Sequence, residues 1–423
     1  MSIQRRSFLK ASAAGVTLAG LSGCAGLSGG APKARVVVVG GGFGGTTAAK
    51  YVRLFDPSIE VVLVEPNEVF VSCPLSNLVL GGFKTIADVT SSYTGLERNH
   101  GVRIVRDMAT AVDVDRKQVL LARGAPISFD RVIVSPGVDF IPGAIPALAD
   151  AKAQERVLHA WKAGPQTVQL RRQLEAMPDG GVFVLAVPEA PYRCPPGPYE
   201  RACQVAAYFK AAKPRSKVLL LDANGDVTSK GALFKKAWAE LYKGIIEYRP
   251  NSRAVDVDVR AGTVKLELDD VKGDVLNVLP PMKAGKIADP FITANRRWCE
   301  VDWLTYESKA AKGVHLLGDS LQIAPLMPKS GHMANAQGKV CAAAVVALLN
   351  GEVPNPSPTL TNTCYSFVSD KLAVHVASVH KFDTNDRIMK AVPGAGGVSA
   401  AMNELEAGYA FNWARNIWAD ALA

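Results

Sequence analysis

Apolar and polar positions along this chain repeat a strand–turn–helix pattern, and the first repeat is the clearest. Residues 33–39 begin with basic side chains and end in four consecutive valines, which is typical of a buried parallel strand. A glycine-rich turn at residues 40–45 leads into a helical pattern, and residues 59–65 form the next apolar run. This order predicts a β-turn-α-β unit near the start of the chain.

A second unit of the same kind begins near residue 182. The predicted elements here are a helix over 151–177 interrupted at Pro165, strands at 182–187 and 217–222 around a helix at 202–212, and sheet at 255–268 and 275–279. A hairpin is predicted over 119–130 and a strand at 131–134, in the first unit. The sequence therefore predicts an α/β fold of two nested doubly wound (Rossmann-like) domains, followed by a C-terminal α+β interface domain.

The order of elements also predicts the domain boundaries. A late strand at 313–317 and a small-residue helix at 330–349 return the chain to the first domain, and a proline-rich linker at 351–358 follows. The predicted segments are a leader at 1–31, a first domain of 32–148 with 285–350, a second domain of 149–284, and a C-terminal domain of 351–423.

Length and charge exclude several classes of protein. The 423 residues suffice for two or three domains, and 48% hydrophobic with 21% charged residues is ordinary for a globular protein. The net charge of +9 becomes +6 when the three cationic residues of the leader are removed, which is too weak to indicate nucleic-acid binding. No run of 18 apolar residues occurs after residue 32, so no transmembrane span is expected.

The first 31 residues have the pattern of an export signal. Arg5 and Arg6 form a twin-arginine pair, and a run of small and apolar residues follows Lys10. We therefore expect a periplasmic protein. Residues 21–24 also resemble a lipobox that would attach lipid to Cys24, whereas cleavage near Ala31 would release a protein without an anchor, and the sequence leaves both open.

The first glycine-rich turn has the residues of a dinucleotide site. Gly40, Gly42 and Gly45 fit G-x-G-x-x-G between a strand and a helix, where backbone N–H groups hold a pyrophosphate. Glu65 ends the next strand and is placed to accept ribose hydroxyls. Asp319 follows a late strand, where two-dinucleotide flavoproteins hold the ribityl chain. This combination favours FAD over NAD in the first site.

The second unit lacks such a turn. Residues 188–192 read PEAPY, so prolines remove the N–H donors that a pyrophosphate needs and Glu189 would repel it. Nicotinamide binding is therefore disfavoured, and Cys194 stands close to the place of the missing fingerprint.

Four segments resemble one known family, the flavoprotein subunit of flavocytochrome c sulfide dehydrogenase. They are RCPPGPYER at 193–201, NTCYS at 362–366, PKSG at 328–331 and PPMKAGK at 280–286, and the resemblance covers nearly the whole chain. It implies a glutathione-reductase type of architecture and periplasmic oxidation of sulfide with bound FAD. It also implies a heterodimer with a c-type cytochrome subunit that carries the haem.

The resemblance assigns catalytic roles to three residues. Cys194 and Cys364 correspond to a redox-active disulfide beside the flavin, and Glu200 corresponds to a carboxylate that moves protons, with a solvated helix-start acid as the alternative. Cys73 falls where the family joins a cysteine to the flavin, although this chain departs from the family pattern at the proline after it. Trp413 resembles an aromatic residue over the active site.

Further cofactor contacts are predicted at two turns. Pro136 and Gly137 follow the strand at 131–134, and Lys329 and Ser330 precede the helix at 330–349, whose N-terminus would face the flavin. His332 in that helix is expected to be structural. No Cys/His cluster has the spacing of a metal site, so no metal is expected.

Two other functions remain open at the level of the sequence. A sulfide:quinone oxidoreductase would use the same chemistry with a membrane acceptor, and the aromatic residues of 410–422 suit an interfacial helix. The second open function is that of a non-enzymatic protein that keeps the FAD fold.

Overall fold

The computed structural model describes residues 32–423, so the predicted leader and Cys24 lie outside the described residues. Within them the α-helices are α1 (Phe43–Phe55), α2 (Ser76–Gly81), α3 (Thr94–His100), α4 (Ala151–Arg156), α5 (Pro165–Ala176), α6 (Gly197–Ala212), α7 (Gly231–Leu241), α8 (Gly331–Asn350) and α9 (Glu404–Leu422). Short 3-10 helices span Ala87–Val89, Pro146–Ala149, Lys286–Phe291 and Gly318–Ser320.

The strands of the same part of the chain are β1 (Ala34–Val39), β2 (Ile59–Val64), β3 (Val69–Val71), β4 (Thr90–Ser92), β5 (Arg103–Val105), β6 (Ala109–Asp113), β7 (Gln118–Leu121), β8 (Ile127–Ser128), β9 (Arg131–Val134), β10 (Val138–Phe140), β11 (Val182–Val187) and β12 (Lys217–Asp222). They continue as β13 (Ile246–Arg249), β14 (Ala254–Asp258), β15 (Thr263–Leu266), β16 (Asp270–Lys272), β17 (Val275–Val278), β18 (Met282–Ala284), β19 (Ile292–Ala294), β20 (Trp298–Cys299), β21 (Val314–Leu316), β22 (Thr359–Phe367), β23 (Ala373–Asp383) and β24 (Ile388–Val398).

The predicted valine strand is the centre of a five-stranded parallel sheet. The strand order is β21-β9-β1-β2-β5, and Val36, Val37 and Val38 of β1 are fully buried. Helices α1 and α8 pack together beside this sheet. Central strands of parallel sheets are covered on both faces, which explains why β1 is apolar at successive positions.

Two of the other sheets define the remaining large parts of the fold. The second is parallel with the order β13-β12-β11-β17, and the third is antiparallel with the order β22-β23-β24 and packs against α9. The predicted fold class is therefore confirmed: two doubly wound parts are followed by an α+β part. The exact domain boundaries stay predictions.

The helix predicted over 151–177 is wrong in its middle. The structure has α4 and α5 at its two ends, and residues 157–164 between them are not helical. Pro165 stands at the first position of α5, where its missing N–H has no cost. Between the helices, the carbonyls of His159 and Ala160 accept hydrogen bonds from the buried Arg201, and Asn277 donates to Leu158. These distant partners replace the helical hydrogen bonds of the segment.

Across residues 32–423, the structure contains no helix with the length and apolar character that crossing a bilayer requires.

Candidate functional site

A cavity of about 370 Å³ opens at the carboxyl ends of the first sheet. Gly40 follows β1, Glu65 follows β2, Pro136 lies in the turn after β9, and Asp319 follows β21. Loops at the carboxyl ends of parallel strands are the usual ligand sites of doubly wound folds, and cavities of several hundred Å³ hold small ligands.

Most of the residues predicted for the site line this one cavity. The residues brought together are Gly40, Gly42, Glu65, Cys73, Pro136, Gly137, Cys194, Glu200, Asp319, Ser330 and Cys364, and the cavity also takes in Trp413 and His332. Gly45 and Lys329 are not among its lining residues, and the structure gives each of them a different place.

The glycine-rich turn has the geometry of an anion cradle. A Cβ atom at Gly45 would lie 1.8 Å from the Gly40 carbonyl oxygen, so only glycine lets α1 pack so closely. A Cβ atom at Gly42 would meet nothing within 4 Å among the described residues. Gly42 caps α1 without a side-chain hydrogen bond, which leaves the first N–H groups of the helix for a ligand.

Glu65 is held at the edge of this cradle. Its carboxylate accepts hydrogen bonds from the Gly41 N–H (2.7 Å) and the Asn67 N–H (2.8 Å), and the residue is buried. The side chain is therefore fixed beside the turn, at the place where the sequence predicts contact with ribose hydroxyls.

Asp319 supports the prediction of FAD. Its Oδ1 atom is buried and has no hydrogen-bond partner among residues 32–423, although the residue lines the cavity. Burial raises the pKa of this carboxyl group, and the nearby Arg193 and Lys329 lower it. A buried carboxylate oxygen needs a donor, so this atom suits the hydroxyl groups of a bound ligand. The residues present fit a dinucleotide with a polyol chain.

Lys329 is not among the lining residues of the cavity, and its contact with a cofactor stays a prediction. Its ammonium donates to the backbone carbonyl of Asp319 (2.9 Å) and to that of Leu321, and lies 3.5 Å from the centre of the Trp298 ring. Burial lowers the pKa of Lys329 to about 7. The carbonyl groups and the ring satisfy a charge that would otherwise be buried alone.

Ser330 has two structural roles. Its hydroxyl accepts the Met333 N–H (3.0 Å) as the N-cap of α8 and donates to Asn362 Oδ1 (2.5 Å). It lines the cavity, and it joins α8 to the strand that carries Cys364.

Cys194 lies on a strained turn before α6. Its φ angle is +58°, in the left-handed region that a cysteine seldom adopts, and its N–H donates to the Lys329 carbonyl (2.8 Å). Burial is the main cause that raises the pKa of its thiol, followed by the charges of Cys364 and Glu200. The turn places Cys194 in the lining of the cavity.

Cys364 reaches the same cavity from β22, and both cysteines are free thiols in the structure. The Asn362 amide donates to its sulfur (3.4 Å). Burial raises the pKa of this thiol, and the positive charge of Lys230 is the largest cause that lowers it. The disulfide between Cys194 and Cys364 stays a prediction from the resemblance.

Glu200 lies in the first turn of α6 and is buried between the two cysteine segments. Its carboxylate accepts the Phe367 N–H (2.8 Å) and the Asn77 amide (2.8 Å). Burial raises the pKa of Glu200, so the pKa of this proton acceptor lies nearer to neutral pH than that of an exposed glutamate. The alternative of a solvated acid does not agree with its 9% exposure.

Cys73 faces an arginine that the sequence analysis assigned no role. Arg193 Nη2 donates to the Cys73 sulfur (2.7 Å) and to the Trp161 carbonyl. The guanidinium therefore fixes Cys73 at the cavity wall.

The C-terminal helix closes one side of the cavity. Trp413 of α9 lies with its ring 6.1 Å from that of Tyr365 and donates its indole N–H to His332 (3.4 Å). His332 also accepts the Thr363 N–H (2.9 Å), which agrees with its expected structural role.

Sequence reasoning missed four polar residues beside the predicted ones, namely Asn77, Arg193, Arg201 and Lys230. Arg193 and Arg201 are the first and last residues of the 193–201 motif, so the motif itself could have indicated them. Nothing local indicates Asn77 or Lys230, because their partners lie more than 100 positions away along the chain.

Three family models match the chain in succession. Residues 34–173 match pyridine nucleotide-disulphide oxidoreductases, residues 167–280 match the central part of the sulfide dehydrogenase (flavocytochrome c) flavoprotein chain, and residues 356–422 match the flavin-binding part of flavocytochrome c sulphide dehydrogenase. Fold and site together define an FAD-binding flavoprotein of the oxidoreductase class.

The particular family follows from the central and C-terminal matches. A 45-residue stretch is 69% identical to the sulfide dehydrogenase (flavocytochrome c) flavoprotein chain of Chlorobaculum thiosulfatiphilum, covering 94% of that sequence and 11% of this chain. The chain belongs to the family of flavocytochrome c sulfide dehydrogenase flavoprotein chains, and the resemblance predicted from the four motifs is confirmed.

More distant relatives belong to a second group. Mitochondrial sulfide:quinone oxidoreductases of Dictyostelium discoideum and Mus musculus are 24% and 25% identical, over 60% and 67% of this chain and 59% and 65% of their own lengths. The solved structure of the sulfide:quinone oxidoreductase from Aquifex aeolicus superimposes with a TM-score of 0.75 at 16% identity, over 92% of this chain and 91% of that one. This likeness shows the shared fold.

Proposed function

We propose that the chain oxidises sulfide to sulfur or polysulfide with a cysteine pair and bound FAD, and that a c-type cytochrome subunit takes the electrons. The observation that carries the proposal is one cavity lined by Cys194, Cys364 and Glu200 together with the glycine-rich turn and Asp319. Family membership supports sulfide as the substrate.

The proposed first step is thiol–disulfide exchange. Hydrosulfide attacks one sulfur of the Cys194–Cys364 disulfide, a new S–S bond forms as the old one breaks, and the other cysteine leaves as a thiolate with the electron pair. The product is a persulfide on one cysteine, so atoms and charge balance without a further reactant.

Glu200 is the group proposed to take the protons that the overall oxidation of hydrogen sulfide releases. Oxidising hydrogen sulfide to sulfur releases protons as well as electrons, and Glu200 is enclosed beside both cysteine segments. Its raised pKa makes it a better acceptor near neutral pH than an exposed glutamate is.

The N-terminal helix α1, Glu65 and Asp319 would hold FAD, and Cys73 is the proposed point of a covalent link to it. Bound FAD supplies two-electron acceptance followed by release of single electrons, as a haem acceptor requires. The haem is proposed to lie on the separate cytochrome subunit of a heterodimer.

The twin-arginine leader supports export, so the proposed place of the reaction is the periplasm. Retention by lipid on Cys24 and release after cleavage near Ala31 are the two alternatives for the exported chain.

A second candidate is a sulfide:quinone oxidoreductase, which the more distant relatives favour. The acceptor distinguishes it from the first proposal. Sulfide-reduced protein is mixed anaerobically with a c-type cytochrome or with a short-chain quinone while the flavin absorbance is followed. We expect fast reoxidation of the flavin by the cytochrome. Reoxidation by the quinone that is more than about tenfold faster than by the cytochrome would favour the second candidate. A tenfold ratio of rates corresponds to about 1.4 kcal/mol in the barrier.

A further inference from the structure

Lys230 is a buried lysine in a backbone conformation that lysine seldom adopts. It has φ +59° and ψ 33° at the N-cap of α7, and only 8% of the residue is exposed. Left-handed backbone is uncommon outside glycine and asparagine, and burying an ammonium is unfavourable unless it is paired. Both features are unfavourable, and the contacts of the side chain offset them.

The ammonium of Lys230 reaches the strand that carries Cys364. Its Nζ atom donates to the Cys364 carbonyl (2.9 Å) and to the Ser366 hydroxyl (2.8 Å). The Phe234 ring of its own helix lies 5.7 Å away. A residue of the second doubly wound part is thereby fixed to the C-terminal sheet beside the reactive cysteine.

The titratable groups that face Lys230 are all acidic. They come from three elements: Cys364 on β22, Glu200 with the neighbouring Cys194 at the start of α6, and Glu406 on α9. Burial lowers the pKa of Lys230 to about 8, while these groups raise it. The side chain therefore keeps a positive charge at neutral pH and loses it as the pH rises through about 8.

We propose that Lys230 is a positioning residue for the cysteine reaction, which holds a buried positive charge beside Cys364 and stabilises the thiolate that forms there. The proposal rests on the proposed function. It assigns the two sulfurs different parts: hydrosulfide bonds to Cys194, and Cys364 leaves with the electron pair of the broken S–S bond.

The charge change in this step explains the need for Lys230. One negative charge moves from the entering hydrosulfide to Cys364, into a place that burial makes unfavourable for a thiolate. A thiol with a lower pKa leaves faster in exchange reactions. The Lys230 ammonium and the Asn362 amide both favour the charged form of Cys364. Cys194 has a cation in Arg193, but the charges of Cys364 and Glu200 act against its thiolate more strongly.

The test measures thiolate formation without sulfide. The FAD-loaded protein is reduced with dithiothreitol, desalted anaerobically, and pulsed with iodoacetamide across a pH series from about 6 to about 10, because only the thiolate reacts. Mass spectrometry then gives the alkylation rate of each cysteine. The variant is Lys230→Gln, which keeps a hydrogen-bond donor and removes the charge.

We expect Lys230→Gln to lower the Cys364 alkylation rate near neutral pH by about tenfold, which corresponds to a rise of about one unit in the pKa of the thiol. Lys230→Arg keeps the charge and should recover most of the rate. Lys235→Met removes an exposed lysine of the same helix, whose partner is Asp226 at 2.7 Å, and should leave the rate unchanged. Equal Cys364 profiles in Lys230→Gln and the wild type would overturn the proposal.

Flavin retention and a melting curve show whether Lys230→Gln folds. If it does not, the wild type decides: Cys364 must form its thiolate at a lower pH than Cys194, and the reverse order rejects the assignment. The proposed function fails separately, when sulfide leaves the flavin of the wild type oxidised. If Lys230→Gln still changes the pH dependence of Cys364 alkylation in that case, the result supports the role of the Lys230 charge.

Discussion

Single residues in this site carry strain or buried charge that the surrounding contacts hold in place. Cys194 has a left-handed backbone, and its N–H is fixed by the Lys329 carbonyl. Lys329 in turn is held by two carbonyl groups and the Trp298 ring, so it supports the turn of Cys194 from outside the cavity. Strained backbone of this kind clusters at functional sites, where it fixes a reactive side chain in one orientation.

Cys73 is the residue whose role can be tested apart from turnover. Its sulfur accepts a hydrogen bond from Arg193, and the residue lines the cavity. If the proposed covalent link forms, acid-precipitated wild-type protein stays yellow, and Cys73→Ser releases its flavin into the supernatant. Cys203→Ser, at a buried thiol outside the cavity lining, is the control and should also stay yellow. Complete release from the wild type would reject the link.

At the level of elements, the packing of α1 on the first sheet sets the shape of the anion cradle. We predict that Gly45→Ala lowers the free energy of unfolding by about 3 kcal/mol, because its Cβ atom would collide with the Gly40 carbonyl and push α1 away. FAD content should fall with it. Thermal melting and flavin absorbance measure both effects.

The matched control is Gly408→Ala in α9, where a Cβ atom meets nothing within 4 Å among the described residues. Alanine favours a helix over glycine by roughly 0.5–1 kcal/mol, so this variant should melt at the same temperature or slightly higher. Equal melting temperatures for Gly45→Ala and the wild type would contradict the packing account.

The elements that the sequence predicted well are those whose pattern is local. The valine run of β1 and the glycine-rich turn carry their own periodicity and turn chemistry, and the structure has them at the predicted places. The helix predicted over 151–177 is absent where Arg201 and Asn277 donate hydrogen bonds to the backbone carbonyls of the segment. The role of Lys230 could not be predicted, because its partner Cys364 lies 134 positions away. Local patterns do not contain such long-range contacts.

At the scale of the whole molecule, each part of the fold contributes one component of the site. The first sheet supplies the cradle and Asp319, the second part supplies Cys194 and Glu200, and the C-terminal sheet supplies Cys364. The second doubly wound part places a cysteine where a nicotinamide fingerprint would otherwise stand. The arrangement suits a flavoprotein that receives electrons from a sulfur compound inside the cavity.

The most direct test of the account is the rate at which sulfide bleaches the flavin in Cys364→Ser, followed anaerobically by rapid mixing. Cys299→Ser is the control, because Cys299 is a buried thiol outside the cavity lining with a carbonyl acceptor at Ala288. We predict bleaching within about twofold of the wild type in the control and a loss of more than about a hundredfold in Cys364→Ser. Bleaching at the wild-type rate in Cys364→Ser would contradict the cysteine-pair mechanism.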